Sequence, residues 1–328
     1  MNRKKRSTIF GAALIILGIV LGLWLGTVLV ERQQAGGLHW LRLPQGGLLK
    51  PGQTNPSIPP EIPAGPAGTG GVSFLPSDTK RISLRYGDDC DYRPDIKKLL
   101  AQPLFWDLTG DAPTVLIIHT HASESYTKQP GQDYAETTEF RTLNTAYNMV
   151  ALGDKLAALL EQAGISVIHD RTLHDYPSYN SAYTNSRQAV QSFLSQYPSI
   201  QVVLDLHRDA ALNSDGSQYA PTLTVNGETV AQLMLVVGSD ASGMHHPRWE
   251  ENLAAAVKLQ ALLERQATGI TRSTILRAQR YNHDLSDGAM IVEIGTAGNS
   301  LQQAMAAVPY LAEALIALCN GTTADSTS

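Results

Sequence analysis

The chain has 328 residues, 43% hydrophobic and 17% charged, with a net charge of −5, a composition that suits a globular protein with one large folded domain and extra segments. Beyond the first few residues it carries no basic run, which argues against a nucleic-acid binder. Cys90 and Cys319 are too few and too far apart for a disulfide framework or a cysteine-based metal site, and the sequence leaves open whether they pair.

Arg3, Lys4, Lys5 and Arg6 precede an uncharged, mostly apolar run over 8–30. At about 1.5 Å rise per residue, such a helix crosses a hydrocarbon layer of ~30 Å. Trp24 falls near its outer end, and the basic cluster places the N-terminus in the cytoplasm. A cleaved signal peptide has a shorter apolar core and a small-x-small site, which Val30-Glu31-Arg32 does not offer. The expected order is a cytoplasmic stub over 1–7, a transmembrane helix over 8–30 and an extracytoplasmic remainder. Over 31–80 prolines and glycines recur with few large apolar residues, which reads as a linker; roughly fifty residues reach on the order of 150 Å at full stretch. The folded domain is expected over 81–328.

Within that domain strands and helices alternate. Thr114 to Ile118 reads as a buried strand. Asn144 precedes a helix whose apolar face is Met149, Leu152, Leu156, Leu159 and Ala163, stopped by Gly164. Ile165 to Ile168 is the next strand, about Ser181 to Leu194 a helix, and Ile200 to Leu204 a central strand. Thr222 to Val225, Asn226-Gly227 and Val230 to Val237 read as a hairpin on a type I′ turn. Trp249, Leu253, Ala256, Leu259 and Leu263 mark a long helix, Ala289 to Ile294 a strand, and Leu301 to Leu318 a last helix. This order predicts an α/β fold, a twisted mixed sheet flanked by helices.

Binding sites in open α/β sheets lie beyond the carboxyl ends of strands. One strand runs into His119-Thr120-His121-Ala122-Ser123-Glu124, a second into Asp205-Leu206-His207-Arg208-Asp209, and a third into Glu293-Ile294-Gly295. A catalytic zinc site needs neutral imidazoles, a carboxylate and one open position. His121, Glu124 and His207 supply that ligand set, leaving Glu293 as general base. Glu293 as ligand, with Glu124 bracing a histidine, is the alternative. Arg208, His119 and Asn282 are candidates for substrate or oxyanion contact. His119 equally suits a buried role donating to a carbonyl, and Asp209 suits a structural ion pair. His169 and His174 read as a polar surface loop, and His245-His246 as a loop at the cleft or in solvent.

The stretches Ile118 to Tyr126, Asp205 to Ala210, Tyr281 to Ser286, Ile291 to Gly295 with Asn299, and Trp249 to Ala254 together resemble the stage II sporulation protein P family of endospore-forming bacteria. The resemblance covers roughly Pro113 to Leu318, together with the order of anchor and linker. It implies a fold like that of zinc amidases and zinc carboxypeptidases. It also implies an N-acetylmuramoyl-L-alanine amidase acting on peptidoglycan, with a second activity on peptide cross-links, in forespore engulfment. The implied partners are a membrane protein (the M protein) and a lytic transglycosylase (the D protein). The first ligand histidine maps onto His119 or His121, and His121 is preferred because it completes His-x-x-Glu. A zinc peptidase on protein substrates and a non-catalytic cell-wall scaffold are the competing classes.

Overall fold

The structure, a computed structural model, describes residues 72–104, 106, 108 and 111–323; the expected transmembrane helix and most of the expected linker lie outside them. Seven strands make one mixed sheet: β1 (Leu84–Tyr86), β2 (Val115–Ile118), β3 (Val167–His169), β4 (Val202–Asp209), β7 (Leu233–Gly238), β8 (Thr274–Arg277) and β9 (Gly288–Thr296), in the order β1-β8-β7-β9-β4-β2-β3. β9, β4, β2 and β3 run parallel to one another. β7 is antiparallel to β9, and β8 and β1 follow the direction of β7. The central strands are apolar without alternation because both of their faces are covered: all four residues of β2 are buried.

The helices are α1 (Ile96–Ala101), α2 (Met149–Gln162), α3 (Ala182–Gln196), α4 (Trp249–Gln266) and α5 (Leu301–Thr323). α2, α4 and α5 pack on one face of the sheet, joining Leu156, Leu259 and Leu311 to Leu204, Val292 and Ile294. α3 covers β2 and β4 on the other face, where Val190 meets Leu116, Ile118 and Val203. Further along this second face Met234, Val236, Ile275 and Ile291 form a small cluster against Tyr281 instead of a helix. α2 starts at Met149, later than Asn144 suggests, because Asn148 caps it by accepting from the Val150 N–H. Gly164, at φ +85, ends it as expected.

Two expectations change. The strand read over Val230 to Val237 is two: β6 (Glu228–Ala231) closes a hairpin with β5 (Thr222–Val225), and β7 enters the main sheet. Asn226 and Gly227 take the left-handed conformations of the predicted turn, at φ 51 and 84. Gln232 makes the corner, with its amide donating to the Gly269 carbonyl at 2.7 Å. The folded unit also begins before residue 81. Pro76–Arg81 form a 3-10 turn, Asp78 pairs with Arg265 at 2.5 Å, and Phe74 lies beneath the cations of Lys258 and Arg265. Lys258 also donates to the carbonyls of Leu99 and Leu100 at the end of α1, and burial pushes its pKa down to about 8.

Leu301–Cys319 is long and apolar enough to cross a membrane by length and composition. Its Ala304, Val308, Leu311 and Leu315 are nevertheless fully or almost fully buried in the core shared with α2 and α4. Cys90 and Cys319 are both buried, and no disulfide joins them.

Candidate functional site

The pairing of β2, β4 and β9 positions the predicted residues. Ile118 lies opposite Asp205, and His207 lies opposite Glu293. Residues opposite one another in paired strands share a face, so Asp205, His207 and Glu293 project together. The β4–β9 register shifts between His207 and Asp209, a bulge that re-aims the chain beside the site. β2 ends at Ile118, and the segment after it turns. That segment is held by the Ser125 N–H on the Phe140 carbonyl at 2.9 Å and the Thr142 N–H on the Ser123 carbonyl at 2.8 Å. The Tyr126 hydroxyl donates to the Ile294 carbonyl at 2.8 Å and ties this turn to β9.

His121, Glu124 and His207 come together. The rings of His121 and His207 are 5.4 Å apart, edge to face. His207 Nδ1 is 3.5 Å from Glu124 Oε2. His207 Nε2 is 3.0 Å from Asp205 Oδ1, close but poorly aligned for donation. Burial works against charge on His207, but Asp205 and Glu124 outweigh it and hold the imidazole protonated well above its ordinary range. Burial likewise opposes ionisation of Glu124, yet Arg208 and His207 pull its pKa down to about 2. Burial lowers the pKa of His121, which stacks on Tyr179 at 4.5 Å and meets Tyr183 edge-on at 5.7 Å.

Glu293 differs from Glu124. Burial raises its pKa to about 8; His207 lowers it and Asp209 adds to the rise. Its Oε2 is buried without a hydrogen-bond partner. A carboxyl held near neutrality with a vacant acceptor is what a general base requires.

The other candidates are committed to the fold. Arg208 is buried; its Nε donates to the Ser125 carbonyl, its Nη2 to the Phe140 carbonyl, and its Nη1 lies 3.5 Å from Glu124. It braces Glu124. Asn282, left-handed at φ 68, donates to the Tyr183 carbonyl and the Ser186 hydroxyl. His119 turns away under α2: Nδ1 meets the Leu206 carbonyl at 3.2 Å and Nε2 meets His169 Nε2 at 2.8 Å. Burial, with His169 beside it, pushes the His119 pKa down to about 3. His119 and His121 do not share a face, because the turn after β2 intervenes. His169 and His174 are not at the surface: His169 joins His119 and Asp154, and His174 pairs with Asp170 at 2.8 Å. His246 is buried and His245 exposed. Asp209 pairs with Arg272 at 2.7 Å, as its structural reading predicts.

Asp205 and His283 belong to stretches the sequence marks, whereas Asp175 and Arg141 carry no local signal. Asp205 accepts from the Thr120 N–H and hydroxyl at 2.7 and 2.6 Å and faces His207. Asp175 accepts from the Ser123 hydroxyl and from Arg141, and Arg141 also reaches Glu124 at 3.3 Å. His283, buried, accepts the Gly238 N–H on Nδ1, and burial pushes its pKa down to about 3.

The donor chemistry fits a zinc ion. Two ligands at about 2.0–2.1 Å from a tetrahedral zinc stand roughly 3.3 Å apart, close to the His207–Glu124 separation of 3.5 Å. His121 Nδ1 is a buried atom with no hydrogen-bond partner. The field that keeps a proton on His207 is one a cation would displace it from. As placed, no group of three or more His, Cys, Asp or Glu among the described residues is gathered into a metal cage.

Among solved structures, the chain aligns with the CwlD amidase from Clostridioides difficile in complex with the GerS lipoprotein. That match has 14% identity and a TM-score of 0.37, over 64% of this chain and 96% of that one. It also aligns with an N-acetylmuramoyl-L-alanine amidase of Nostoc punctiforme, at 13% identity and a TM-score of 0.36, over 65% and 97%. Stage II sporulation protein P of Bacillus subtilis (strain 168) is 29% identical over 208 residues, 60% of this chain. The match spans 48% of that relative, about half its length. The family model of Stage II sporulation protein P (SpoIIP) matches residues 76–316, and the chain belongs to this family.

Proposed function

We propose that the chain is a membrane-anchored, zinc-dependent peptidoglycan hydrolase that cuts the amide between N-acetylmuramic acid and L-alanine during sporulation. The observation that carries this reading is the meeting of His121, Glu124 and His207 beside a carboxyl, Glu293, whose pKa is raised to about 8. Family membership agrees with it. The transmembrane helix over 8–30, the linker and the extracytoplasmic placement of the domain belong to the same proposal. So do a second cut at peptide cross-links, a role in engulfment, and the M-type and D-type partners.

His121, Glu124 and His207 would hold the zinc. When bound, it would supply Lewis acidity and lower the pKa of water toward ~7. Asp205, 3.0 Å from Nε2, stabilises the charge on His207 and stands where second carboxylates brace ligand histidines. Arg208 and Arg141 keep Glu124 ionised and in place. Glu293 takes the proton of the attacking water and returns it to the departing amine of alanine. Tyr179 and Tyr183 wall the site beside His121.

Zinc analysis of the full chain in detergent, combined with digestion of purified peptidoglycan, tests the reading. One bound zinc and new stem peptides with N-terminal alanine are expected, with activity lost on chelation and restored by zinc. Full activity in a metal-free preparation would overturn it. A reporter fused after Lys80 should work only if exported, and cytoplasmic activity of that reporter would remove the anchor.

A further inference from the structure

The face that carries His207 and Glu293 continues sideways over β7, β8 and β1. Met234 lies opposite Glu293, Val236 opposite Ile275, and Ile275 opposite Arg85, so these side chains share that face. α3 covers the β2–β4 side of it. Over β7, β8 and β1 there is instead a cavity of about 620 Å³, in the usual range for a ligand site. Met234 and Ile275 give it an apolar floor, and Arg85, Arg272, Arg277 and Asp209 give it charge.

The charges do not balance. The one acid, Asp209, is taken by Arg272 at 2.7 Å. Arg85 and Arg277 make no ion pair among the described residues; Asp89, which accepts from Gln279 at 2.5 Å, keeps its charge beside Arg277 but does not line the cavity. Nε and Nη2 of Arg272 are buried with no hydrogen-bond partner. Guanidinium groups with unused donors match carboxylate and phosphate alike in bidentate fashion, and of the two carboxylate is the planar one, carried on an apolar backbone that suits the floor.

The distance identifies the ligand. Three strand spacings and an offset of two residues put Arg85 roughly 15 Å from Glu293, Cα to Cα. An extended peptide of about four or five residues spans roughly 13–17 Å. We propose that this cavity is the subsite for the stem peptide, lying across β7 and β8 with its carboxylates on Arg85, Arg277 and Arg272. The proposal rests on the amidase reading and adds to it the part of the substrate that sets affinity. The scissile amide sits at Glu293, and the acidic peptide on its amine side runs toward β1.

The test is direct binding of an isolated stem peptide to the full chain in detergent. The peptide is compared with the same peptide fully amidated at its carboxyls. Wild type is expected to bind the acid form roughly tenfold or more tightly than the amidated form, with the preference falling as salt rises. Arg85→Gln with Arg277→Gln should erase that preference, whereas Arg85→Lys with Arg277→Lys should keep part of it. The single Gln variants, each expected to lose part of the preference, serve if the double variant unfolds. In wall digestion the double Gln variant should raise KM and leave kcat within about threefold. Failure of wild type to prefer the acid form, or an intact preference in the Gln variants, would overturn the subsite. Peptide binding without release of N-terminal alanine from the wall would sink the amidase reading and leave the subsite standing.

Discussion

His119 and His121 are two residues apart, yet they serve different parts of the molecule. His119 sits beneath α2 with its ring nitrogens on a carbonyl and on His169, and its pKa is about 3. His121 faces His207, which two carboxylates keep protonated. Both settings are buried, so burial does not distinguish them. The difference is the balance between carboxylates and burial: Asp205 and Glu124 outweigh burial at His207, whereas Asp154 beside His169 does not, and that balance decides whether a cation is stabilised there or repelled. The turn that follows Ile118 separates the two histidines.

The comparison can be tested by substitution, beginning with the largest expected effect. Glu293→Gln should keep zinc and lower turnover by about 10²–10⁴, the usual worth of general acid–base catalysis. Glu124→Gln should instead release zinc. The reverse pattern of bound zinc in these two variants would exchange their roles. His207→Ala should weaken zinc affinity by more than tenfold, which equilibrium competition with a chelator reads directly. His119→Gln should leave zinc bound and lower thermal stability; zinc loss there, with retention in His121→Ala, would move the first ligand to His119.

Gly153→Ala probes the structural pair alone. A Cβ there would stand 2.3 Å from His169 Nε2 and 2.6 Å from His119 Nε2. Denaturant unfolding should show a loss of about 1–3 kcal/mol, with zinc content unchanged. The smallest effect concerns pH in the metal-free protein. The folded chain keeps the Glu293 proton to about pH 8, whereas an unfolded chain releases it near pH ~4.3. Between those values the folded state binds more protons, so this group makes stability fall as pH rises. Glu293→Gln should flatten that slope by about 1 kcal/mol per pH unit, measured as unfolding midpoints across the window. An unchanged slope would mean that Glu293 is ionised at neutral pH.

Much of this contrast was legible in the sequence. Buried strands announced themselves as apolar runs, and Glu293 and His207 stood at matching places on two of them. The helices followed from spacing and caps. β1, α1 and β8 were not legible: each is short, and Leu84–Tyr86 and Thr274–Arg277 mix arginine with apolar residues. The burial of His169 and His174 was not legible either, because it depends on partners, His119 and Asp170, that make the polar groups compatible with the interior. Arg141, Asp175 and Tyr179 reach the site from separate loops, and nothing local marks a residue whose role is set by where its loop folds back.

The leading turn at Pro76–Arg81 has a mechanical consequence. Tension arriving through the residues before 72 would load Phe74 and the Asp78–Arg265 pair, and through them the C-terminal half of α4. α4 packs on the face of the sheet opposite His207 and Glu293. Force would therefore enter the domain away from the reacting groups, with the helix acting as the strain relief of a cable. Arg265→Ala should lower the force at which residues 72–81 peel away in single-molecule pulling, while the positions of His207 and Glu293 stay unchanged.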